Sequence, residues 1–141
     1  MSETTTAAFG KTLLPIGALI VLVGGAFLAV RYYNSPPTQP GTDEGRAVAE
    51  GFLSKVRSGK PGEAWDSATA EFKSIEGRES FIRKVKATPI LKDELHFNSS
   101  QKVVVKEEPR SEYLFQSPDA KMIRVLIGFE GGNWKVDRLT M

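Results

Sequence analysis

Cysteine is absent from all 141 residues. That removes disulfide scaffolds, zinc knuckles, iron–sulfur ligation, thiol catalysis and any lipid anchor on cysteine. It says nothing about the redox compartment. Histidine is nearly absent: His96 is the only one, so no His-Glu-x-x-His zinc motif exists. Charge of one sign is also missing. Nineteen Lys and Arg face 17 Asp and Glu, a formal charge of +2. Dense phosphate neutralisation needs clustered excess cations, so no nucleic-acid partner is expected. There is no Gly-x-Ser-x-Gly nucleophile elbow and no phosphate-cradling loop ending in Lys-Ser/Thr. Gly131-Gly132 reads as a hairpin turn, because no helix follows it. The carboxylates do not fall at calcium-loop spacing, and no cofactor is expected. The length suits one ordinary domain plus an appendage.

What is present is an uneven distribution of apolar residues. Thr12 to Val30 is 19 residues without a charge, 14 of them apolar. As a helix this run rises about 28 Å, close to the roughly 30 Å hydrocarbon core of a bilayer. Lys11 and Arg31 bracket it and can snorkel to headgroups. Tyr32 and Tyr33 follow at interfacial depth. Pro15 sits in the first turn, where its missing N–H costs little. Gly25 and Ala29 form one small-xxx-small pair. The expectation is a tail over 1–11, an uncleaved single-pass anchor over 12–30, and a short cytoplasmic tail with the folded part exported. The flanking charges are nearly balanced and set this orientation only weakly. The main alternative is a cleaved signal peptide, with Gly24 and Ala26 at the cut and Phe27 as the new start. A buried soluble helix would rarely run 19 residues without a polar break.

Residues 31–43, RYYNSPPTQPGTD, read as a semi-extended spacer. Pro36, Pro37 and Pro40 disfavour helix, and no apolar period is visible. At roughly 3 Å per residue it could hold a domain up to about 40 Å from the membrane.

Residues 44–141 are the foldable unit, with 17 basic and 15 acidic residues. Thr42 or Asp43 can cap a helix through Arg57, with Val48, Phe52 and Val56 on one face. Gly59 stops it, and Pro61 opens a second helix carrying Ala64, Trp65, Ala68 and Phe72 until Gly77. A third helix carries Phe81, Ile82 and Val85, and Pro89 ends it. From Leu95 the period becomes two: Leu95 and Phe97, Val103 and Val105, Tyr113 and Phe115, then Ile123 to Phe129, then Trp134 and Val136. Turns are expected at Asn98-Ser99-Ser100, Pro109-Arg110, Ser117-Pro118-Asp119 and Gly131-Gly132-Asn133. The fold class is α+β, with helices on one face of a curved antiparallel sheet of four to six strands.

This order resembles the nuclear-transport-factor-2-like superfamily, in particular small membrane-tethered or secreted bacterial members with lumazine-binding-like domains. The resemblance spans residues 44–141. It rests on the bridge SGKPGEAWD with Gly59, Ala64, Trp65 and Ala68, and on the ending Gly132-Asn133-Trp134-Lys135-Val136. It implies a cone-shaped roll of three helices on the sheet, with a cavity between them, and a homodimer through the sheet as one option. Such folds host enzymes and binding modules alike.

Enzymes of that resemblance place an Asp or His and a Tyr in the cone. Here His96 lies between Leu95 and Phe97 and is expected to face solvent. Tyr113 can point inward with Phe115. Asp66, next to Trp65, could reach the cavity mouth, and Asp137 is expected at the water-facing side, opposite Trp134. Trp65, Asp66, Tyr113, Phe115 and Trp134 are thus the candidate cavity-lining residues. No pair among them is forced into the convergent geometry of acid–base work, so no catalytic residue is expected. One charged feature stands out: Arg78, Arg83, Lys84, Lys86 and Lys92 make the third helix and its exit basic, a surface suited to acidic headgroups or a carboxylate-rich partner. The expected function is a membrane-anchored, non-catalytic binding or assembly module. Its partners would be the bilayer and a membrane protein or small hydrophobic ligand. The rivals are a small isomerase- or dehydratase-like enzyme and a secreted binder.

Overall fold

The computed structural model describes residues 39–141. The expected tail, the membrane helix over 12–30 and most of the spacer lie outside the described residues. No helix among the described residues is long and apolar enough to cross a membrane.

Four helices come first: α1 (Thr42–Arg57), α2 (Pro61–Asp66), α3 (Ala70–Ile75) and α4 (Arg78–Ala87), followed by a 3₁₀ turn at Pro89–Lys92. Four strands follow: β1 (His96–Val105), β2 (Glu108–Gln116), β3 (Met122–Glu130) and β4 (Asn133–Thr140). They form one antiparallel meander in the order β1-β2-β3-β4. The class is therefore α+β, with helices preceding a four-stranded antiparallel sheet. The head begins at the helix Thr42–Arg57, two residues before the expected boundary, with Gly41 at the N-cap position.

The helical period of α1 buries Gly45, Ala49, Phe52, Leu53 and Val56. Against them stand the inward residues of the sheet: Tyr113 and Phe115 from β2, Ile123, Val125 and Ile127 from β3, Val136 from β4. Phe52, Phe72 and Phe81, one from each of α1, α3 and α4, meet with ring centroids 5.4–6.0 Å apart. Two of these contacts are edge-on, the arrangement the ring quadrupole favours. These rings and the inward strand residues occupy the space between helices and sheet.

Four local expectations are corrected. The single helix expected from Pro61 until Gly77 is two helices, broken at Ser67–Thr69. Thr69 caps the second half, its Oγ1 accepting the Phe72 N–H at 3.1 Å. Its own N–H donates to the Val136 carbonyl at 3.0 Å, so the sheet holds the chain out of helix at that point. Second, Asn98-Ser99-Ser100 is no turn. β1 runs through it, with a bulge between Phe97 and Ser99 that leaves Asn98 without a register partner. Third, the β1–β2 turn is not at Pro109-Arg110 but at Lys106-Glu107, both at positive φ (51° and 67°). Pro109 is tolerated in β2 because the pairing with β3 begins only at Ser111, leaving no donor to lose on that side. Fourth, Asp137 does not face water. Leu126 pairs with Arg138 and Ile127 with Val136, so Asp137 is the extra residue of a second bulge. The bulge breaks the alternation and buries Asp137 to 4% exposure.

Candidate functional site

The end of α1 builds one side of a surface groove. Gly59, at φ 81°, takes the left-handed conformation that glycine adopts without a Cβ clash. Its N–H donates to the Val56 carbonyl and the Lys60 N–H to the Lys55 carbonyl at 2.9 Å. This is the Schellman pairing, which satisfies the last carbonyls of a helix. Pro61 then starts α2, where its fixed φ suits a first helical position. The chain reverses within three residues, and α4 packs back across α2.

Between these elements lies an open groove of about 500 Å³. Its floor is apolar: buried Val56 and Val85 with half-buried Pro61 and Ile82. Its rim is basic and exposed, with Arg57, Lys60, Arg78, Lys86 and Lys92 against a single carboxylate, Glu63. Arg78, Ile82 and Lys86 recur every four residues, so they share one stripe of α4.

Arg78 is the rim cation that is already engaged. Its Nε donates to Asp66 Oδ1 at 3.2 Å, and Nη1 lies 3.8 Å from Glu79 Oε1. The Asp66 hydrogen bond and charge raise the pKa of the guanidinium. Its plane lies against the backbone of buried Gly62, where an added Cβ would come 2.5 Å from Nη2. The glycine of the bridge thus makes room for the arginine. Lys84 is also occupied, 3.3 Å from Glu76 Oε2. Among the described residues, Arg57, Lys60, Lys86 and Lys92 enter no ion pair.

The five candidate cavity residues are not gathered in one place. Tyr113 and Phe115 are neighbours on the inner face of β2, both buried, with Phe97 against them at 6.5 and 5.8 Å. Burial pushes the Tyr113 phenol pKa up. Trp65 sits half-buried at the end of α2. Its Nε1–H donates to the Glu76 carbonyl at 2.7 Å, and Lys73 Nζ lies 5.1 Å over its ring. Asp66 is exposed and paired with Arg78. Trp134 packs edge-on to Phe129 at 4.8 Å. Phe115 borders a second hollow of about 270 Å³, alongside Glu50, Arg57, Asp93 and Glu94, and Trp134 borders others near the start of β4. His96 is exposed, as its neighbours suggested.

Two polar clusters lie apart from the groove. The Thr69 hydroxyl donates to Asp137 Oδ1 at 2.7 Å. Gly128 provides the space, since a Cβ there would stand 3.0 Å from Asp137 Oδ1 and 3.1 Å from Arg110 Nη1. Nearby, Lys106 Nζ donates to Glu71 Oε1 at 2.8 Å. That hydrogen bond holds the Glu71 carboxyl below its ordinary pKa. Both clusters join helix to sheet, and among the described residues no three His, Asp or Glu side chains are grouped to hold a metal ion.

Arg57 and Lys60 are the groove residues that strand-and-helix periodicity did not single out. Their signal is the Ser-Gly-Lys-Pro turn, which brings the end of one helix beside the start of the next. No family model matches this chain, and no curated protein matches it in sequence.

Proposed function

We propose that this chain is a single-pass membrane-anchored, non-catalytic binding or assembly module. Its head is a nuclear-transport-factor-2-like roll, exported beyond the bilayer. The observation that carries the reading is the groove at the end of α1, where four cations that enter no ion pair among the described residues surround an apolar floor. A few charged groups around an apolar surface are the usual makeup of a recognition site. The uncharged run Thr12–Val30 supplies the anchor, and the helices-first order with the Gly132-Asn133-Trp134-Lys135-Val136 ending favours the roll. Anchoring confines the head to a thin layer, which raises its effective concentration towards other membrane-bound partners.

The test is to place charge inside the anchor. A Leu19→Lys, Leu22→Lys chain is expected in the supernatant of a membrane preparation, with the circular dichroism of its head unchanged. The parent chain is expected to sediment with the membranes. A parent chain that partitions into buffer without detergent overturns the reading.

A further inference from the structure

We propose that the groove docks an extended acidic segment of a partner protein, an inference that rests on the binding-module reading. One apolar side chain of the segment sits on Ile82 and Pro61, and flanking carboxylates pair with Lys60, Lys86 and Lys92. Charge complementarity argues first. These lysines have no acidic partner among the described residues, whereas Lys84, one residue from Val85, is already paired with Glu76. Cations left unpaired around an apolar floor present an attractive field to anions and a surface worth covering. The shape argues next. The groove is open to solvent rather than enclosed, so it cannot surround a small ligand as a pocket does. An open trough can seat one anchor side chain while the rest of a peptide stays solvated.

The experiment uses residues 39–141, which lie within one compact unit and share one hydrophobic core cluster. The probe is a fluorescein-labelled peptide with one leucine between two pairs of glutamates, followed by fluorescence anisotropy. Saturable binding is expected, weakening as salt rises. Lys86→Glu with Lys92→Glu is expected to weaken it about tenfold or more, because a reversed charge repels as well as removes a partner. Ile82→Ser is expected to weaken it as well, and Lys102→Glu with Lys121→Glu, the same charge change elsewhere, to leave it within about twofold. Circular dichroism and melting keep any unfolded variant out of the comparison. The proposal is overturned if the peptide does not saturate, if a glutamine-for-glutamate peptide binds as well, or if the control reversal weakens binding equally. It is also overturned if phosphatidylglycerol vesicles, and not the peptide, bind through Lys86 and Lys92, which would make the occupant a lipid surface. Because this fragment lacks the run 12–30, failure here is distinct from failure of the anchor.

Discussion

Thr69 and Asp137, 68 residues apart, share a 2.7 Å hydrogen bond with both side chains buried. The same Thr69 oxygen accepts the Phe72 N–H at the start of α3. One hydroxyl therefore caps a helix and satisfies a buried carboxylate. Replacing it removes the cap and leaves Asp137 short of a donor. Thr69→Ala is expected to cost about 2–3 kcal/mol in denaturant unfolding. Thr69→Ser keeps both bonds and is expected to cost much less. Asp137→Asn retains an acceptor and should fall between them. A Thr69→Ala chain as stable as its parent would refute this account of the helix break.

Gly45 faces the ring end of Tyr113. A Cβ on Gly45 would overlap the Tyr113 hydroxyl and come 2.8 Å from Pro40 Cγ. The ring is buried on the inner face of β2 and has nowhere to swing. Gly45→Ala is thus expected to destabilise the head by about 1–3 kcal/mol, as overpacking does. Adding Tyr113→Phe removes the overlapping oxygen and should recover part of the loss. Equilibrium unfolding of the two variants decides it.

The two hairpin turns offer a direct comparison. Gly131-Gly132 and Lys106-Glu107 both connect strands with two residues at positive φ. Glycine accepts that backbone freely, whereas an L side chain pays about 1 kcal/mol or more there. Glu107→Gly is expected to stabilise the head by about 0.5–1 kcal/mol, seen as a raised melting temperature. Lys106 is left intact because it holds Glu71.

Acid should weaken the fold. The backbone N–H of Ala70 lowers the Glu130 pKa, and Lys106 lowers that of Glu71. A carboxyl with a lowered folded pKa contributes stability above its unfolded pKa, about 4.3 for glutamate, and loses it as pH falls through the folded value. Stability is expected to be flat near neutrality and to fall below about pH 4.3. In Glu71→Gln with Glu130→Gln the acid limb should be shallower. Unfolding curves at several pH values measure this, and an unchanged limb would exclude these two groups as its source.

Much of the fold was legible because single elements obeyed one rule. α1 has an unbroken helical period, and Ile123, Val125 and Ile127 alternate on the inner face of β3. Gly59-Lys60-Pro61 marked a stop and a start. The rest failed where tertiary contacts overrode local pattern. Ala64, Trp65, Ala68 and Phe72 fit one helix by spacing, yet Thr69 is drawn to Val136 and Asp137, residues distant in sequence. Asp137 had outward parity until a bulge changed it. Asn98-Ser99-Ser100 has turn composition but pairs with β2 around a bulge. Lys106-Glu107 has no glycine or asparagine to announce a turn. At the groove, the basic helix was visible as a stripe. Arg57 and Lys60 joined it only through the chain reversal.

Membrane anchoring depends on the N-terminal run Thr12–Val30. The most direct measurement is the intact mass of the chain recovered from native membranes after alkaline extraction. The anchored reading predicts a membrane-retained chain that still contains Thr12–Val30. A soluble chain beginning near Phe27 would contradict it.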